Sequence, residues 1–505
     1  MMQRFAWTVC AVLGAAGIGF AAPATQPAAS ETLLAPHTDY DSVKAIVVSD
    51  DGNHVAFVGF RGTQQWVVLD GVVSPAYDWV IPHSLVISAD GSRSAYIVQG
   101  ATATIAVVDG KPQAPCFGIS DNRVILSRHG KHFAYVVLGN GGRGASIIAD
   151  GISGPTFDDI QAPMFSPDGR HLAYCATRGK QQMMVLDGHA QKAYDSIVPY
   201  SAVFSPDGKR LAYGAGLGGK ELIVCDQTES PPADHLRLGP GFSPDGSRLA
   251  AVFENAGKSF AVIDGKPDRA YDGLLAGDFT FSPDSRHLAY AMKLGKKNLV
   301  IRDGVDQEQF DGVGNYTLHY SGDSRHLTYE AITGVKSSIV LDERKLDAFD
   351  GALIGTPIFS PDSSRLLFAA QHDGKWVIVL WDGHQRIEGG GFDSIASPDF
   401  SPDSRRFAYR ALDNSKFFAV IDGTISPPLE ALGPIVFGPD SKHVVYVGRR
   451  DGHPRLVIDG AELPQDYDAR PSEEQPIFDG NDSLHMLILR EGKIYRLQIT
   501  LATVR

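Results

Sequence analysis

The chain has 505 residues, too many for one ordinary compact core. Its apolar content of 43% excludes an intrinsically disordered chain. A net charge of -13 argues against nucleic acid as a partner, because phosphate binding needs a basic surface.

The first elements form a secretory signal. Arg4 supplies the positive region, Phe5 to Phe20 is apolar, and Gly19-Phe20-Ala21 or Ala22-Pro23-Ala24 offers a small-residue cleavage site. Residues 1–21 are therefore expected to be a signal peptide, with an uncleaved membrane anchor as the alternative. Every later apolar run is under ten residues, so no transmembrane span is expected after signal removal. The protein is expected to be exported, periplasmic or extracellular. Residues 22–37, rich in Ala, Pro, Thr, Gln and Ser, should be a flexible leader. Cys116, Cys175 and Cys225 match neither a disulfide framework nor a zinc spacing; their strand-like settings suggest buried structural thiols, with one bridged pair in an oxidising compartment as the alternative.

From about residue 38 the chain repeats. The serine of Phe165-Ser166-Pro167-Asp168-Gly169-Arg170-His171, or its equivalent, falls at Ser49, Ser88, Ser127, Ser166, Ser205, Ser243, Ser282, Ser321, Ser360, Ser401, Gly438 and Gly480. Steps of 37–42 residues signify a solenoid, a propeller or an array. In the fourth repeat, strand-like pieces at 162–166, 171–176, 182–186 and 193–197 are separated by turn residues. We name them A to D. The A–B turn is Ser-Pro-Asp-Gly and the C–D turn is Asp-Gly, a strong hairpin signal. The turn aspartate is present in eleven repeats, and His129 replaces it in the third. Each B strand opens with His or Arg, three residues after that position: His54, Arg93, His132, His171, Arg210, Arg248, His287, His326, Arg365, Arg406, His443 and His485. That spacing suggests a partner for the turn aspartate. Four strands in about 40 residues, repeated twelve times, predict an all-β protein of twelve propeller blades.

Phe204-Ser205-Pro206-Asp207-Gly208-Lys209-Arg210-Leu211-Ala212-Tyr213 resembles the WD40-like, TolB-type propeller repeat, which is also found in propellers attached to prolyl-oligopeptidase-type peptidases. The resemblance implies a propeller fold. It carries no activity, because this fold hosts many functions, and the chain has no Gly-x-Ser-x-Gly nucleophile elbow.

Propellers usually have four to eight blades, so twelve are expected to make two rings. The residue after the turn aspartate position is Gly in repeats one to six (Gly52, Gly91, Gly130, Gly169, Gly208, Gly246). It is Ser in repeats seven to twelve (Ser285, Ser324, Ser363, Ser404, Ser441, Ser483). This switch predicts two tandem six-bladed propellers, residues 38–265 and 266–505. The strand at Tyr40 would then pair with Phe260–Asp264, and the strand at Tyr271 with Tyr495–Ile499. A single twelve-bladed ring is the alternative.

No chemistry rises above the repeat. The histidines interchange with arginine, which points to structure rather than metal binding. The Asp-Gly turns lack the alternating donors of a calcium loop. Gly139-Asn140-Gly141-Gly142-Arg143-Gly144 only superficially resembles a phosphate loop, since no helix follows it. No cofactor, metal or catalytic residue is expected. Lys180, Lys220, Lys258, Lys296, Lys336 and Lys375 fall at B–C hairpin tips. In propellers of this kind those tips share one face with the D–A connections, so the lysines form a candidate docking face. The expected function is a non-enzymatic, protein-binding scaffold for another envelope or secreted protein. The alternatives are a hydrolase or lyase with a site on axial loops, and an envelope polysaccharide-binding protein that would need exposed aromatic platforms.

Overall fold

The computed structural model describes residues 28–501 apart from 37–39, 276–278, 353–355, 384, 464–467, 469–474 and 492. The expected signal peptide, 1–21, lies outside them. Twelve antiparallel blades, each four strands across, stand in a ring. No α-helix occurs among the described residues, only two short 3-10 turns.

The fourth blade shows the local logic. Strand A is Asp159–Phe165, B is Leu172–Arg178, C is Gln181–Leu186 and D is His189–Tyr194. The expected D strand at 193–197 is thus corrected. Tyr194 ends strand D, Asp195 is the crossover, and Ser196–Ile197 opens the A strand of blade five. All three turns of the blade contain a residue of positive φ, Gly169 (72°) between A and B and Gly179 (63°) between B and C. At the C–D turns, Asp187 (φ 49°) and Gly188 (φ 78°) both do so, the signature of a two-residue hairpin.

The core lies between blades rather than within them. Each apolar cluster joins the face of one sheet to the next. Ile125, Val136 and Ile147 of blade three meet Tyr174 and Val185 of blade four. Ala250 and Val252 of blade six meet Tyr271, Leu288 and Tyr290. Val55, Phe57 and Val68 of blade one meet Leu487 and Ile494 of blade twelve. Aromatic rings reinforce the joints: the D-strand Phe157 sits edge-on to Tyr174 of the following blade at 6.3 Å, and Tyr194 to Tyr213 at 6.4 Å.

Three expectations are corrected here. Ala28–Pro36, within the expected flexible leader, is a strand that pairs antiparallel with Lys493–Thr500 and supplies the fourth strand of blade twelve. Glu31 and Arg490 form an ion pair across this seam at 2.7 Å. Tyr271 exchanges two backbone hydrogen bonds with Ser259, not with the chain near Tyr495. Tyr40 packs on Phe57 and Trp66, and Asp41 N–H donates to Phe60 O, so this segment belongs beside blade one and not beside Phe260–Asp264. The composition of 28–36 hid this strand, because an edge strand of Ala, Ser and Thr reads as linker.

Candidate functional site

The motif residues build joints. In nine blades the motif serine donates to the turn aspartate at 2.5–2.7 Å. The same carboxylate accepts the N–H two residues on at 2.9–3.2 Å. This is the aspartate's own turn, complete without the His or Arg. The His/Arg partner is instead the C–D aspartate sixteen or so residues later. His171 Nδ1 lies 2.7 Å from Asp187 Oδ2, and Arg210 Nε 2.8 Å from Asp226 Oδ2. Such a pair recurs in ten blades. The aspartate's other oxygen takes the next backbone N–H, as from Leu172 to Asp187 at 2.9 Å. The expectation of a turn-aspartate partner is corrected: proximity in sequence misled, and the cross-strand neighbour is the closer one.

A His–carboxylate pair is also the geometry of a catalytic base. Here the rings are committed to packing. His132, His287 and His326 lie against Phe165, Tyr320 and Phe359 of the next blade at 6.2–6.4 Å between centroids. Arg210 and Arg248 cover Phe242 and Phe281 at 5.1 and 5.5 Å. The hollow lined by His171, Gln191, Lys209 and Asp226 is one such joint, between blades four and five.

The candidate lysines lie on exposed hairpin tips, as expected. Lys220, Lys258 and Lys336 form ion pairs with Asp234, Asp272 and Asp350. Lys375 lies 2.8 Å from both Asp393 and Asp413. Lys180 and Lys296 sit in the turns themselves, and it is Lys297 that meets Asp311, at 2.6 Å. Asp272, Asp311, Asp350 and Asp393 each follow a Phe or Tyr at the end of strand D, and Asp234, after Ala233, takes the equivalent place. Each also caps a B–C tip: Gly218 N–H reaches Asp195 at 2.7 Å, Ala256 N–H reaches Asp234 at 2.6 Å, and Gly334 N–H reaches Asp311 at 2.8 Å. Lys220, and then the Ala256 N–H, hold Asp234 below the ordinary carboxylate value. The charges of Lys220, Lys258, Lys297, Lys336 and Lys375 are therefore balanced at their own tips.

Exposed chemistry gathers where the repeat breaks, along the inner-edge A strands. Neighbouring A strands approach one another, as Ser42–Val48 does Val86–Ile87, so this edge faces the axis of the ring. In blades two, five and eight a short loop interrupts strand A. Its serine or threonine replaces the missing ladder bonds. Ser84 donates to Ile81 O and accepts Ile97 N–H, Ser201 donates to Val198 O and accepts Gly214 N–H, and Thr317 donates to Gly314 O and accepts Glu330 N–H. The residue just before it takes positive φ: His83 (62°), Tyr200 (57°) and Tyr316 (58°). Tyr200 is 97% exposed and Tyr316 57%. A bulky residue in the left-handed region is strained, and here no burial offsets the strain. Trp79 and Phe117 are two further exposed aromatics, at one end of blade two. The Gln99 N–H donates to Trp79 O at 2.9 Å, fixing this segment to strand B of blade two.

Cys116, Cys175 and Cys225, expected to be buried, are half-buried. Burial pushes the Cys175 and Cys225 thiols up to about 11, and both are unbridged. Asp350, His372 and Asp373 bring ligand atoms within 4.8 Å on an exposed tip, but Asp350 already serves Lys336 and the Asp373 N–H.

No known family profile matches the chain, and no curated protein sequence matches it. Similar solved structures include a eukaryotic initiation factor, at 15% identity over 68% of this chain and 95% of that one, with a TM-score of 0.34. The β-propeller domain of the Trilobed protease from Pyrococcus furiosus is 14% identical over 53% and 94%, with a TM-score of 0.25. TolB from Acinetobacter baumannii is 15% identical over 57% and 76%, with a TM-score of 0.25.

Proposed function

We propose that the chain is an exported, non-enzymatic propeller that binds another envelope or secreted protein through its inner-edge loops. We infer further that the twelve blades make one ring, since blade six packs on blade seven and blade twelve on blade one. The observation that carries the binding reading is Tyr200, nearly wholly exposed in a left-handed conformation that tyrosine disfavours, with Tyr316 its equivalent three blades on. Strain of this kind persists where a residue's exposed form is used, and tyrosine offers large contact area at low entropy cost. The hairpin lysines then belong to a polar rim, not to a positive docking face.

The test replaces Tyr200 and Tyr316 with glycine. Both variants should fold at least as stably as the parent and should lose capture of a partner from the native compartment. Undiminished capture by the double variant would sink the reading. A second reading, binding of an envelope polysaccharide, is favoured by Trp79 at 49% and Phe117 at 58% exposure. It expects loss of polymer retention when both become alanine.

A further inference from the structure

We propose that the A–B turn of blade three is a carboxylate-recognition site for an acidic segment of a partner protein. This site lies on the face opposite the hairpin lysines, and it does not depend on the inner-edge reading.

The argument starts from a missing group. In nine blades one carboxylate oxygen accepts both the motif serine hydroxyl and the N–H two residues beyond the aspartate. In blade three His129 stands where that aspartate would be, and the turn keeps its shape. Gly130 N–H still donates to Ser127 O, and His132 N–H still donates to Ser127 Oγ at 2.9 Å. Two donors, Ser127 Oγ–H and Lys131 N–H, thus remain aimed at a position that carboxylate oxygens occupy elsewhere. In blades four and five the side chains that fill this position, Asp168 and Asp207, are 27% and 43% exposed, and His129 itself is exposed.

The surroundings favour an anion. Arg128, His129 and Lys131 are all exposed around the turn. Residues 118–157, the third blade, carry Arg123, Arg128, Lys131 and Arg143 against Asp121 and Asp150, a local charge of +2 on a chain of -13. Asp150 is committed to His132 at 2.6 Å. The other turns supply their own carboxylate next to the exposed cation, as Asp207 does 3.0 Å from Lys209. Blade three has the cations without it. An aspartate or glutamate side chain from a partner would restore the arrangement, accepting the hydroxyl and amide while Arg128 and Lys131 complete the charge. A planar carboxylate is the group this turn holds in the other blades, which is why we assign it rather than phosphate.

The experiment uses the full chain and a fluorescein-labelled hexaglutamate peptide followed by anisotropy, with hexaglutamine as the uncharged control. Wild type should bind hexaglutamate and not hexaglutamine. His129→Asp places the missing carboxylate in the turn. It should weaken peptide binding by about tenfold or more while leaving the urea midpoint unchanged or higher. The double variant Arg128→Ala/Lys131→Ala should weaken binding by a similar factor. Equal affinity in wild type and His129→Asp would overturn the site. Inorganic phosphate displacing the peptide at concentrations where acetate does not would overturn its assignment to a carboxylate.

Discussion

Ser285 Oγ accepts the backbone N–H of Asp245 at 3.0 Å, tying the turn of blade seven to that of blade six. The bond is the first of a ladder. Asp284 donates to Ser324, Asp323 to Ser363, Asp362 to Ser404 and Asp403 to Ser441, at 2.8–3.0 Å. The Gly-to-Ser switch, read from the sequence as a boundary between rings, is thus the start of a chain of inter-blade bonds, and its first bond crosses that boundary. At Gly52, Gly91, Gly130 and Gly208 of the first half the position has no room for a side chain, while Gly169 and Gly246 leave just over 3 Å. A Cβ on Gly91 would come within 2.1 Å of the His54 ring.

Two substitutions at Ser285 separate bond from backbone. Ser285→Ala keeps the positive φ of 65° and loses the acceptor, which should cost about 1–3 kcal/mol. Ser285→Gly loses the same bond but relieves the backbone, and should cost about 1 kcal/mol less. Urea unfolding of both variants checks the order. Equal stability of Ser285→Ala and wild type would show that the joint carries nothing.

Stability should decline in acid through the turn aspartates. The Ser88 and then Ser92 hydroxyls hold Asp90 at about 2, and Ser360 followed by the Ser364 N–H holds Asp362 at about 2, from an ordinary 3.8. A folded value below the unfolded one stabilises above the unfolded value and is lost as pH falls through the folded one. The window is therefore between about pH 4 and pH 2. Denaturation midpoints across that range should fall for wild type and fall less steeply for Asp90→Asn with Asp362→Asn.

The N-terminal strand should protect the last one. With residues 28–36 deleted, the amides of 493–500 that face Ala28–Pro36 lose their partners. Their hydrogen exchange should speed up by about tenfold or more, with smaller change in blade six. Unchanged exchange would show that the seam is not closed by this strand. An exposed edge of this length should also promote self-association, which sedimentation would detect.

At the hairpin tips Asp234 bridges blades, taking Lys220 from blade five and the Ala256 N–H from blade six. Asp234→Ala should therefore destabilise more than Lys220→Ala, because an exposed ion pair alone contributes little. Thermal melts of the two variants check the order.

Much of this fold was legible. The Ser-Pro-Asp-Gly and Asp-Gly turns announced themselves through residues with local reasons to turn, and the 39-residue rhythm fixed the blades. The errors share a cause. Only three residues separate His171 from Asp168 along the chain, whereas strand pairing brings Asp187 alongside it. The aspartate that follows strand D, as at Asp195 and Asp311, caps a tip of the next blade, and no local turn signal announces that. Tyr200 and Tyr316 went unnoticed because a loop that interrupts strand A leaves no periodic trace. The turn at His129 was noticed as an exception, and its meaning needed the hydrogen bonds of the other blades.

The central claim is that the repeated residues join blades and that binding resides where the repeat breaks. It is tested most directly by a photo-crosslinking amino acid placed at position 200 in the native compartment, with the same probe at Val72 on the outer edge as control. A discrete partner adduct from position 200, absent from position 72 and preserved in Ser285→Gly, is the expected result. No adduct at position 200, or the same adducts from both positions, would contradict the account.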